Sequence, residues 1–109
     1  MEKLNDLILL LEELELFLIT HGDDGYGTII KEIKQNLSEG YKLNDDCLIN
    51  NTLNELKHYA FGGMGSLTDL VISRKNGHIV NDEISTNKKY WELLLVLQKK
   101  LKNVMEKRI

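Results

Sequence analysis

Apolar residues recur at three- and four-residue spacing over residues 3–19. Leu4, Leu7, Ile8, Leu11, Leu14 and Leu18 share one face, and Glu12, Glu13 and Glu15 lie on the other. That period predicts a first helix. Leu9, Leu10, Leu16, Phe17 and Ile19 widen the stripe to most of the circumference, so the helix belongs in the middle of a bundle or carries an interface on its second face. It should stop at His21-Gly22, where glycine takes the left-handed conformation. Tyr26, Ile29, Ile30, Ile33 and Leu37 mark a second helix, with Lys31, Glu32, Lys34 and Gln35 outward and Gly40 as its stop. Asn44, Asp45 or Asp46 offers a side-chain oxygen to the free amides that open a third helix, whose buried stripe is Ile49, Leu53, Leu56 and Ala60, with Leu48 beside it. Asp82 opens a long last helix. Its broad face is expected to hold Ile84, Trp91, Leu94, Leu95, Leu101 and Met105, with Tyr90, Leu97 and Val104 at the shoulder and Trp91 closing the core. The chain contains no proline, as long uninterrupted helices require.

Between the third and last helices the pattern splits. Phe61-Gly-Gly-Met-Gly65 concentrates three glycines in a chain otherwise made of helix formers, which implies unusual backbone geometry or a close approach. It lacks the spacing of either nucleotide-binding glycine loop. Ser66-x-x-Asp69 has the form of a capping box and suggests a short helix. Leu70-Val-Ile72 and His78-Ile-Val80, however, flank Asn76-Gly77, a strong local hairpin signal. The favoured expectation is a mainly α fold: an irregular four-helix bundle with a short β-hairpin over 70–80 between helices 3 and 4. A chain of 109 residues has room for one such domain.

Apolar residues at 42% and charged residues at 28% are typical of a soluble globular chain. A single cysteine, Cys47, leaves no internal disulfide and suits a reducing compartment. The N-terminal apolar run is interrupted by acids and lacks the form of a signal peptide, and no stretch approaches membrane-spanning length. A cytoplasmic protein is expected. The net charge of −3 conceals an asymmetry: residues 1–46 hold eleven acids against four lysines, whereas residues 88–109 hold seven bases against two acids. The basic residues Lys99, Lys100, Lys102, Lys107 and Arg108 crowd the end of the last helix, where the helix dipole favours positive charge. A general nucleic-acid binder would carry a basic excess, which this chain lacks.

Candidate chemistry is sparse. His21, His58 and His78 fall in separate elements with no zinc-binding spacing. A helix stop followed by a helix cap explains His21, Asp23 and Asp24 more simply than an acid–base or metal group, and Cys47 reads as a small packed residue. The glycine cluster reads either as packing, with Met64 and Leu67 tucked between helices, or as a binding loop. Glu12, Glu13, Glu15, Asp23, Asp24, Asp45 and Asp46 are candidate contacts for a basic partner, with Tyr26 as an aromatic anchor and Met64 as the loop residue to test first.

The run Phe61-Gly-Gly-Met-Gly-Ser-Leu-Thr-Asp-Leu-Val-Ile72, followed by Asn76-Gly77-His78, resembles a motif in a small bacterial family of about this length. The likeness covers most of the chain and is strongest across 58–78. Proteins of this kind resemble immunity proteins of toxin–immunity systems, including contact-dependent growth inhibition. The resemblance implies a cytoplasmic protein, monomeric when free, that blocks one cognate toxin domain, often a nuclease. It brings no catalytic residue and no cofactor. Two other readings stand beside it: a structural or regulatory module that self-associates through the apolar first helix, and a small enzyme or metal protein using the His21–Asp24 turn.

Overall fold

The computed structural model describes residues 2–107. Four helices follow one another: α1 (Glu2–Thr20), α2 (Asp24–Leu43), α3 (Asp46–Phe61) and α4 (Glu83–Lys107). α1 packs between α2 and α4, and α3 lies against α2. α4 runs antiparallel to α1: Phe17 stacks on Tyr90 at one end, and Lys3 and Asp6 share a cleft with Lys100 and Asn103 at the other.

One continuous core fills the space between the helices. Leu4, Leu7, Leu11, Leu14 and Leu18 of α1 are buried in it against Ile30, Ile33 and Leu37 of α2. Each such side chain contributes about 1.5–3 kcal/mol of transfer free energy. In α3 the expected stripe of Ile49, Leu53, Leu56 and Ala60 is buried.

The helix ends follow local rules. α1 stops at Gly22 with paired bonds, Asp23 N–H to Leu18 O at 2.8 Å and Gly22 N–H to Ile19 O at 3.0 Å. Asp23 caps α2, its Oδ1 accepting the Tyr26 amide at 3.0 Å, and Asp45 caps α3 through the Leu48 amide at 3.0 Å. Asp82 caps α4 through the Ser85 amide at 3.1 Å. Gly40 does not end α2. The left-handed residue is Asn44, at φ 55°, and Gly40 lies buried inside the helix. A β-carbon there would fall 2.7 Å from Ile49 Cγ1, so Gly40 leaves room for α3 to pack closely on α2.

α4 departs from expectation in phase. Its buried face is Tyr90, Leu93, Leu94, Leu97, Leu101 and Val104, whereas Trp91 is 48% exposed, Ile84 86% exposed, and Leu95 also faces outward. Seven of the eight residues from Tyr90 to Leu97 are apolar. Periodicity therefore leaves the rotation of α4 open by one residue, about 100°. Packing against α1 decides it, with Tyr90 against Phe17.

The hairpin is absent. Among the described residues there is no strand, and the chain between α3 and α4 makes two 3-10 turns, Leu67–Asp69 and Arg74–Asn76. Asn76-Gly77 terminates the second turn rather than joining strands. Gly77 sits at φ 87°, with His78 N–H bonded to Ser73 O and Gly77 N–H to Arg74 O, both at 3.0 Å. That is the paired stop of a helix end, which uses the same left-handed glycine as a hairpin. An isolated two-stranded hairpin is marginal in water. Here side chains from elsewhere take over the bonds that a partner strand would have made. Asn87 receives the Ile72 amide and donates to the Ile72 carbonyl, both at 2.8 Å.

Candidate functional site

The irregular segment 62–82 is held down at the end of the bundle where α1 turns into α2. Asp23 Oδ2 lies 2.8 Å from His78 Nε2, across 55 residues of sequence. The two side chains are 11% and 7% exposed. His78 Nδ1 accepts the Ser73 amide at 3.1 Å, so the bonding pattern assigns the proton to Nε2, which donates to Asp23. Both ring nitrogens are thereby engaged. Beside them His21 and Ile79 pair main chain to side chain: Ile79 N–H donates to His21 O at 2.9 Å, and His21 Nδ1 meets Ile79 O at 2.7 Å. These groups form a clasp. In this geometry Asp23 and the two histidines hold backbone.

Three tyrosines sit under the glycine loop. Tyr26 hydroxyl donates to Gly65 O at 3.2 Å, and the buried Tyr90 hydroxyl donates to Leu67 O at 2.6 Å. Tyr59 packs beside Tyr26 with ring centroids 5.8 Å apart, and its buried hydroxyl has no partner among the described residues. Burial, reinforced by the neighbouring tyrosines and Asp23, pushes the Tyr59 and Tyr90 phenols well above their ordinary value of 10. The loop itself is closed by Asp69, whose Oδ2 accepts the Gly65 amide at 2.7 Å, and by Ser66 N–H on Gly63 O at 3.0 Å. The packing alternative for this loop is right for Leu67, which is fully buried, and wrong for Met64, which is 100% exposed.

The acidic candidates do not form one surface. Glu12 and Glu13 are exposed on α1, flanked along the helix by exposed Leu9 and Leu16, and neither makes an ion pair among the described residues. Glu15 is tied to Lys34 at 2.8 Å. Asp23 is sequestered in the clasp, while Asp24 is exposed beside it. Asp45 and Asp46 lie at the opposite end of α2, a helix of 20 residues and therefore about 30 Å long. Of the basic residues near the C-terminus, Lys99, Lys102 and Lys107 are exposed; Arg108 lies outside the described residues. No group of three or more His, Cys, Asp or Glu side chains placed to hold a metal occurs among the described residues. No helix there is long and apolar enough to cross a membrane.

Residues 20–81 match the family model for the domain of unknown function DUF6966. The chain belongs to that family. No curated protein and no solved structure matches it. The DUF6966 stretch starts at the end of α1 and stops just before α4, so it contains both halves of the clasp, Asp23 and His78, together with Tyr26 and Met64. Glu12, Glu13 and Glu15 lie outside it, as do Asn87 and Tyr90. Sequence reasoning missed His78 and Asn87 as braces. Their partners are 55 and 15 residues away, and no periodicity or spacing rule links such pairs.

Proposed function

We propose that this chain is a non-enzymatic inhibitor that binds and neutralises a cognate bacterial toxin domain in the cytoplasm, a ribonuclease being the favoured target. The observation that carries this reading is the outward face of α1. Leu9 and Leu16, two turns apart, are exposed with Glu12 and Glu13 between them along the helix, and these carboxylates make no ion pair among the described residues. A face that interleaves exposed leucines with carboxylates suits a partner whose own site is built to receive phosphates. Negative charge speeds the encounter and can occupy the place of the nucleic-acid backbone. The resemblance of the 61–72 segment to immunity proteins points the same way. The free chain is a monomer in this reading and needs no cofactor.

The test is co-expression with the toxin domain encoded beside this gene, followed by calorimetry on the purified pair. Rescue of growth and a nanomolar affinity that weakens with salt are expected, and replacing Glu12 and Glu13 by lysine should slow association about tenfold. No association at low salt would end the proposal. The same exposed leucines favour a second reading, a module that self-associates through α1. Light scattering separates the two, since a mass independent of concentration excludes self-association.

A further inference from the structure

The clasp contains two histidines, and their bonds answer a change of charge in opposite ways. His21 Nδ1 lies 2.7 Å from the Ile79 carbonyl, which can only accept, so that nitrogen already carries a proton. A second proton on the His21 ring goes to Nε2 and leaves this bond in place. His78 is wired the other way. Its Nδ1 accepts the Ser73 amide at 3.1 Å while its Nε2 donates to Asp23 Oδ2 at 2.8 Å. A backbone amide, unlike a hydroxyl or a water, cannot turn around to become an acceptor. The one nitrogen of His78 still open to a proton is therefore the one that Ser73 requires bare.

An imidazolium at 78 sets N–H against N–H at that contact, so the Ser73 bond has to part. The Asp23 bond, by contrast, becomes a charge-assisted one. The charged and titratable groups around the ring come from several elements. Asp23 and His21 stand at the α1–α2 junction, and Tyr59 of α3 has a phenol that responds to the charge of Asp23. Arg74 follows Ser73, and Glu83 of α4 receives the Arg74 amide at 3.0 Å. Asp23 is the one that bonds the ring. Its carboxylate favours the added charge, the Ser73 amide opposes it, and the two act on opposite ring nitrogens. The Arg74–Asn76 turn keeps its bond to Glu83 and the 3.0 Å bond from His78 N–H to Ser73 O, so it is loosened at its first residue rather than cast off.

We infer that His78 is a pH-sensitive catch. Neutral, it ties the start of the 73–77 turn to the α1–α2 junction; charged, it keeps Asp23 and releases the Ser73 amide. Two tethers that act together above the ordinary histidine range, about pH 6.5, are thereby uncoupled below it. The catch operates whatever the chain binds.

The test is nuclear magnetic resonance on the isotope-labelled full chain, titrated between about pH 8 and about pH 5. At the upper end a scalar coupling should connect the Ser73 amide nitrogen to His78 Nδ1, as a direct N–H···N bond requires. It should vanish as the His78 ring takes its second proton. Exchange at the Ser73 amide, corrected for the intrinsic effect of pH, should then quicken about tenfold. The Ile79 amide, bonded to His21 O, should keep its protection. His78→Gln, which donates and accepts without titrating, should abolish the pH response at Ser73, and His21→Gln should leave it intact. The titration of the unaltered chain decides the matter even if neither variant folds. The catch is overturned if His78 becomes charged while the coupling and protection at Ser73 persist, or if the ring stays neutral down to about pH 5. It is overturned equally if Ser73 and Ile79 lose protection together, since the whole segment would then be lifting off.

Discussion

Asn87 is the brace whose removal should cost most for its size. Its side chain makes three bonds: it accepts the Ile72 amide at 2.8 Å, donates to the Ile72 carbonyl at 2.8 Å, and reaches back to Glu83 O at 2.7 Å. Ile72 is fully buried, so water cannot replace the first two bonds when the side chain is cut away. A buried donor or acceptor left unmatched costs about 1–3 kcal/mol. Asn87→Ala should therefore lose about 2–4 kcal/mol, from a total expected to be about 5–15 kcal/mol. Urea denaturation should show a lower midpoint at constant slope, and hydrogen exchange at the Ile72 amide should accelerate strongly. Asn87→Asp gives a sharper discrimination. Its carboxylate still receives the Ile72 amide but presents no proton to the Ile72 carbonyl. The deficit should be large at pH 7 and shrink as pH falls below about 4, where an ordinary carboxyl gains a proton. If Asn87→Ala stays within about 0.5 kcal/mol of the parent and the Ile72 amide exchanges as slowly as before, side-chain bracing is not what replaces the hairpin.

Other expectations follow from the packing and caps. Gly40→Ala should destabilise by about 1–3 kcal/mol in thermal unfolding, and that loss should be smaller in an Ile49→Ala background, because the second substitution removes the clashing Ile49 Cγ1. Tyr90→Phe, which strands the buried Leu67 carbonyl, should cost about 1–2 kcal/mol, whereas Trp91→Phe on the half-exposed face should stay within about 0.5 kcal/mol; the reverse order would show that α4 is rotated from the position described. The Asp82 carboxyl is held below its ordinary 3.8, chiefly by the Ser85 amide, so the folded chain takes up that proton less readily than the unfolded one. Its stabilisation is full above the ordinary value and disappears as pH falls through the lower folded one. Asp82→Asn, which can cap without titrating, should flatten that part of the acid-unfolding curve.

The features legible from sequence were those set within a few residues. The aspartates at 23, 45 and 82 each cap the helix that follows, because an N-cap depends only on a short side-chain oxygen and the amide three residues on. The stripes of α1 and α3 were legible for the same reason. α4 was not, since Tyr90 to Leu97 is apolar almost throughout and the choice of face falls to Phe17 and Leu67. The 70–80 segment failed more instructively. Its local pattern favours strands, and a left-handed glycine serves a hairpin and a helix stop equally well. Non-local hydrogen bonds from Asn87, His21 and Asp23 decided between them. Of the candidate contacts, Glu12, Glu13, Asp24 and Met64 face outward, but Asp23 and Glu15 are engaged internally. Charge counting cannot separate a carboxylate on display from one spent inside the fold.

The way segment 62–82 is tethered bears on how such a chain can change over generations. Its tethers are Tyr26, Asn87 and Tyr90 in the helices, the side chains of His21 and Asp23 in the turn between α1 and α2, and those of Asp69 and His78 within the segment, and none of these is Met64, Val71, Lys75 or Ile79. The displayed positions can therefore be rewritten one at a time while the underlying trace keeps its course. A lineage pressed to track a diversifying adversary would find in this arrangement a place where new specificities can be tried without endangering the fold.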